Sequence, residues 1–126
     1  QVRYHIAAGL IPVLYTSRGE LSCSSAEERR CLGNALAALM ANIATSLEPC
    51  LGYVISKGGI TTHALLADGF GLSQVELKGQ LMPGLSLVLA QDLPVITFPG
   101  NLGNQQDLML VREMMDLDPQ KDRSII

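Results

Sequence analysis

The chain reads as short apolar runs separated by glycine-rich or polar punctuation. Leu10-Ile-Pro-Val-Leu-Tyr15 is apolar and empties into Thr16-Ser17-Arg18-Gly19, the pattern of a buried strand ending in a polar turn. Pro12 has no N–H to donate, which places it at a sheet edge or at the strand start. Ser24 and Ser25 are each followed three residues on by a glutamate, a capping box in either register. Leu32, Leu36, Leu39, Met40, Ile43 and Leu47 then recur at helical spacing. They predict a long amphipathic helix with its leucine stripe in the core, stopped by Glu48-Pro49.

Leu51 to Ser56 predicts a second buried strand, Lys57-Gly58-Gly59 a tight connection, and Ile60 to Ala67 a short helix ended by Asp68-Gly69. Val75 to Lys78 alternates, which suggests a strand with one wet face. Met82-Pro83-Gly84 and Gln91-Asp92 read as turns, with the apolar runs Leu85 to Ala90 and Leu93 to Phe98 as strands. Pro99 to Asn104 is a glycine-rich loop, and Asp107 to Met115 is the last helix. Arg112 to Arg123 is charge-rich and reads as a solvated end. Alternating strands and helices predict one α/β layered domain over residues 1–126, with a mostly parallel sheet flanked by helices.

Composition narrows the function classes. The chain has 126 residues, 48 % of them hydrophobic, which is enough for a core and argues against disorder. A net charge of −3 and the lack of a Lys/Arg run leave no footprint for nucleic acid or an anionic membrane. The uncharged run Cys31 to Leu47 is too short and too polar for a membrane span. Cys23, Cys31 and Cys50 form no CxxC pair and read as free thiols of a cytoplasmic protein. With only His5 and His63, far apart, no metal site is expected.

Nine of the twelve glycines fall between Gly52 and Gly103. Within that stretch, two segments share one grammar of buried strand, glycine loop and helix: Val54 to Thr62, and Val95 to Asn104. Loops at the carboxyl ends of strands line the ligand crevice of open α/β sheets. Glycine lets the backbone approach a ligand, and the following helix start offers unpaired N–H groups that suit a phosphate. Thr61 and Thr62 add hydroxyls. Lys57 adds a point charge if it faces the crevice, and is otherwise a solvated turn lysine. His63 reads either as a helix-surface or packed residue or as a catalytic one, and Arg18 as a loop residue or a ligand clamp. No Walker-type GxxxxGK[ST] loop and no GxSxG elbow is present, and Gly69 to Gln74 lacks the third glycine of GxGxxG.

Four segments in order carry a resemblance: Leu14-Tyr-Thr-Ser-Arg18, Lys57-Gly-Gly-Ile-Thr-Thr62, Gly79-Gln-Leu-Met-Pro-Gly84 and Phe98-Pro-Gly-Asn-Leu-Gly103. Over residues 10 to 108 they resemble the nucleotide-binding C-terminal domain of the four-carbon acid sugar kinases, long a domain of unknown function. The resemblance implies an ATP-binding portion of a kinase that phosphorylates a hydroxyl of a threonate, erythronate or 3-oxo-tetronate. It implies that Gly58, Gly59, Ile60 and Thr61 form one nucleotide loop and that Gly100, Asn101 and Gly103 belong to the other. Lys57 and Thr62 are then candidate phosphate contacts, and ATP with Mg²⁺ the implied cofactors.

The pattern also departs from that family. The sugar acid is held by an N-terminal domain that is missing here, so Gln1 is expected to be internal to a longer protein and the chain alone inactive. Positions often acidic in the family hold His63, Ala64, Asn104 and Gln105, leaving Asp107 as the nearby carboxylate. The connection from Pro83-Gly84 to Pro94 is shorter than in many relatives. The catalytic residues are not assigned. A non-catalytic nucleotide- or phosphate-binding module, or a structural fragment without a ligand, is the alternative reading. A homodimer is the default association.

Overall fold

The computed structural model describes residues 1–17 and 21–117. Leu93–Phe98, an apolar run that leads into a glycine loop, becomes the inner strand β4. Val95 and Ile96 point to opposite faces of the sheet and are both fully buried. Around it the order is β1-β4-β3-β2, with β1 Val54–Lys57, β2 Glu76–Met82 and β3 Leu85–Ala90. β1 pairs β4 in parallel, Val54 opposite Val95. β3 is antiparallel to both β4 and β2.

The α/β class therefore holds, but the sheet is mostly antiparallel rather than mostly parallel. The reason lies in the connections. Pro83-Gly84 and Gln91-Asp92 each link consecutive strands through two residues. Two residues can reverse a chain but cannot carry the crossover that parallel neighbours need. Among the described strands only β1 and β4, separated by a helix and a hairpin, pair in the same direction.

Helices cover both faces. α4 (Asp107–Asp116) lays Val111 and Met115 on Leu85, Ile96 and Phe98. On the other face, α3 (Gly59–His63) runs straight into a π-helical segment, Ala64–Gly69. Leu66 in it and Phe70 just after it pack on the cluster of Val88, Ala90, Leu93 and Val95. The long helix α2 (Ala26–Leu47) forms an outer layer. Its start is capped as the sequence predicts: the Glu28 N–H donates to Ser25 Oγ at 3.1 Å. The hydroxyl and the N–H of Ser24 both donate to the Glu28 carboxylate, which holds its pKa below the usual range.

The fully buried face of α2 is mainly small residues, and of the leucine stripe only Leu47 is fully buried. Ala37 and Ala41 sit in the core against Ala64, and Leu47 is buried, while Leu39 is 54 % exposed. Small residues win because the helices approach closely. A Cβ on Gly69 would lie 2.8 Å from Thr45 Oγ1 and 3.3 Å from the Ala41 Cβ. Gly69, read as a turn glycine, is therefore a contact glycine. Gly69→Val is expected to destabilise the protein by about 2 kcal/mol through overpacking, measured by denaturant unfolding.

Leu10 to Tyr15 forms no strand. It follows a short helix α1 (Val2–Ala7) as irregular chain, with Val13 67 % and Tyr15 79 % exposed. An apolar run becomes a strand only where a neighbour satisfies its backbone, and no described strand pairs with it. Arg18 and the charged end after Leu117 lie outside the described residues.

At the α4 face, the Tyr53 hydroxyl donates to Asp116 Oδ1 at 3.2 Å. Burial, reinforced by the Asp116 charge, pushes the phenol up to about 12. The folded state thus keeps a proton that the unfolded chain releases near 10. Its stabilising contribution is full below pH 10 and is lost as pH rises from there towards 12. A spectrophotometric titration is expected to show one late phenol, and Tyr53→Phe to abolish that step and flatten the alkaline fall in stability.

Candidate functional site

Parallel pairing of β1 with β4 brings their carboxyl ends side by side, Lys57 opposite Phe98. The two glycine loops leave the sheet there together. The Gly58 N–H donates to the Phe98 carbonyl at 2.8 Å. Gly58 adopts φ +102°, open to glycine, and this turns the chain directly into α3. A Cβ built on Gly100 would stand 3.6 Å from the Gly58 Cα, so the loops touch glycine to glycine.

Beside this contact opens a cleft of about 660 Å³. Gly59, Thr62 and His63 form one wall, Thr97 to Asn101 the second, and Leu72 to Val75 the third. Its two ends differ. At the glycine end are the N–H groups of the first helical turn, which have no intrahelical acceptor and no side-chain cap among the described residues. Further along α3 and its π continuation, Leu66 and Ala67 face Leu72 and Val75. A phosphate group suits the first end and an apolar ring the second.

The expected residues divide on this geometry. Gly59, Thr62, Gly100 and Asn101 line the cleft, and Gly58 lies directly behind Gly100. Ile60 and Thr61 lie outside the lining, with the Ile60 side chain 72 % exposed, so what they can offer a ligand is main-chain N–H. The Thr62 hydroxyl donates to the Gly58 carbonyl and lies 2.9 Å from Ser56 Oγ, a bond set that ties the loop to β1. Gly103 is turned away: at φ +90° its missing Cβ leaves room for the Phe98 ring. Lys57 spans the loops. Its ammonium donates to the carbonyls of Pro99 (2.9 Å), Gly100 (3.2 Å) and Leu102 (2.8 Å) and sits 4.3 Å from the centre of the Phe98 ring.

Sequence reasoning missed the third wall. Leu72 to Val75 is irregular chain with no motif of its own, and only the course of the chain into β2 carries it across the cleft. His63, exposed at the end of α3, is also in the lining of the cleft.

Among the described residues no carboxylate lines the cleft. Asp107, the nearest in sequence, accepts the Asn104 N–H at 2.8 Å at the start of α4. The lining thus offers hydroxyl, amide and imidazole groups but not the carboxylates by which proteins usually anchor Mg²⁺, and these residues do not fit a protein-ligated Mg²⁺. Among the described residues no helix is long and apolar enough to cross a membrane.

No curated protein and no solved structure matches the chain. A family model described as the nucleotide-binding C-terminal domain matches residues 1–108, a span that holds the two glycine loops and all three walls of the cleft. The motifs at 57–62 and 98–103 are those of the resemblance drawn from the sequence, and the chain belongs to the family of nucleotide-binding C-terminal domains.

Proposed function

We propose that the cleft holds ATP and that the domain serves a kinase acting on a hydroxyl of a four-carbon sugar acid, of the threonate, erythronate or 3-oxo-tetronate type. The observation that carries the nucleotide is the meeting of Gly58 and Gly100 beside an uncapped helix start, with an apolar end to the same cleft. The phosphates lie at Gly59, Gly100 and Asn101, and the base at Leu66, Ala67, Leu72 and Val75. Phosphoryl transfer is largely positioning and charge neutralisation, so a nucleotide domain can contribute without a nucleophile of its own. The sugar acid is resemblance-based: the family's acceptor and its general base come from an N-terminal substrate domain.

Calorimetry with ATP tests the nucleotide, since heat and a thermal shift must both appear by millimolar concentration. A protein that includes the substrate domain must then phosphorylate a tetronate, while residues 1–126 alone give no turnover. The lack of a carboxylate among the described lining residues favours a second reading, a domain that binds nucleotide without transfer. ATP binding with no phosphorylation of any four-carbon acid by the longer protein would select it.

A further inference from the structure

We propose that Lys57 is the positioning residue of this cleft: its ammonium gathers three carbonyls of the 99–102 loop and so turns the loop's N–H groups towards the ligand. The inference rests on the nucleotide reading for the ligand, but its structural half stands without it. A lysine ammonium has three protons and no acceptor. Here all three have carbonyl partners, on Pro99, Gly100 and Leu102, within 3.2 Å. Among the described residues no carboxylate pairs with Lys57.

The consequence follows from peptide planarity. In a trans peptide the carbonyl of one residue and the N–H of the next point in opposite directions. Among the described residues no peptide bond is cis. Carbonyls of Pro99, Gly100 and Leu102 drawn in towards Lys57 therefore send the N–H groups of Gly100, Asn101 and Gly103 outwards. None of these three N–H groups has an acceptor among the described residues, although the neighbouring Leu102 N–H closes back on Pro99 at 3.3 Å. Gly100 and Asn101 are also the loop residues that line the cleft. Successive N–H groups turned to one side make an anion-binding concavity. The Phe98 ring under the ammonium fixes where Nζ can sit, so the carbonyls converge on a defined point. Lys57 acts on the phosphates through the loop, not by touching them.

Charge and geometry are separable. Arginine keeps the charge, but its planar fork cannot converge three carbonyls on one point. Lys57→Arg is therefore expected to weaken ATP binding as much as Lys57→Met does, by roughly tenfold in either case. In ligand-free protein both variants are expected to speed exchange of the Leu102 and Asn104 amides, the two of this loop that have acceptors among the described residues. Unmodified protein supplies a check that needs no variant. Because it acts through the loop, exposed Lys57 should react with an amine-directed reagent to the same extent with and without ATP.

Wild-type ATP affinity in Lys57→Arg beside a loss in Lys57→Met would overturn the proposal, since it would make Lys57 a charge contact. So would unchanged exchange at Leu102 and Asn104 in both variants, or a Lys57 that ATP shields from the reagent. If wild-type protein binds no ATP but the variants loosen the loop, the nucleotide reading falls and the positioning role survives.

Discussion

A Gly59→Val chain is expected to lose ATP affinity by roughly a hundredfold, about 2.7 kcal/mol, while its melting temperature stays within a degree or two of the parent. The two halves of that expectation come from one observation. A Cβ on Gly59 meets nothing within 4 Å, and the residue needs no positive φ. Valine therefore costs the fold little. Gly59 lines the cleft together with Thr62 and Gly100, where the phosphates are proposed to lie. A branched side chain there holds the anion away from the helix start, and hydrogen bonds to that turn are lost together. Calorimetry for affinity and differential scanning for stability check the two halves separately. Unchanged affinity removes the loop from the site, and a lowered melting temperature shows that the steric premise is at fault. Ile60→Ala makes a control: the side chain is exposed and outside the lining, so ATP affinity is expected to be unchanged.

The site was legible in the sequence where chemistry forces a residue type. Glycines bunched where two apolar runs end pick out Gly58, Gly59 and Gly100, and the structure brings these loops into contact at the cleft. What the sequence did not carry was which of two roles a loop residue takes. Lys57 and Gly103 sit in the right loops, yet one gathers carbonyls and the other makes room for a ring. Both roles depend on where Phe98 lies across the sheet. The third wall, Leu72 to Val75, depends in the same way on the route of the chain and leaves no local signal.

For the fold, every strand after residue 51 and both ends of α2 were readable from apolar runs, turn residues and the Ser25–Glu28 cap. Sheet direction was readable too, but from connection length rather than from apolar runs. Continuous hydrophobic stretches say that a strand is buried on both faces, and central antiparallel strands are buried as well. The two-residue turns at 83–84 and 91–92 were the deciding evidence for a meander. The alanine face of α2 was hidden because hydropathy ranks leucine above alanine, whereas close helix contact selects for small volume. Leu10 to Tyr15 shows the opposite limit: an apolar run without a described strand neighbour stays irregular and largely exposed.

Gly103→Ala is expected to be the most damaging single change in either loop, at about 3 kcal/mol or more, which is a fall of roughly 10 °C in melting temperature. Two terms add. The residue sits at φ +90°, which side chains with a Cβ resist. The new Cβ would also stand 2.4 Å from the Phe98 Cζ and 2.6 Å from its Cε1, and that ring is only 3 % exposed. The ring has no room to retreat, because it packs on Leu85, Ile96, Val111 and Met115. Forcing it to move also disturbs the face on which the Lys57 ammonium rests. A double-mutant cycle separates the steric term from the backbone term. Phe98→Leu alone leaves a cavity and costs about 1–3 kcal/mol on its own. In the double variant the added methyl group occupies space that the ring gave up, so the combined loss should fall short of the sum by about 1 kcal/mol or more. Strict additivity would mean that the clash is relieved elsewhere and that backbone strain alone makes Gly103 a glycine.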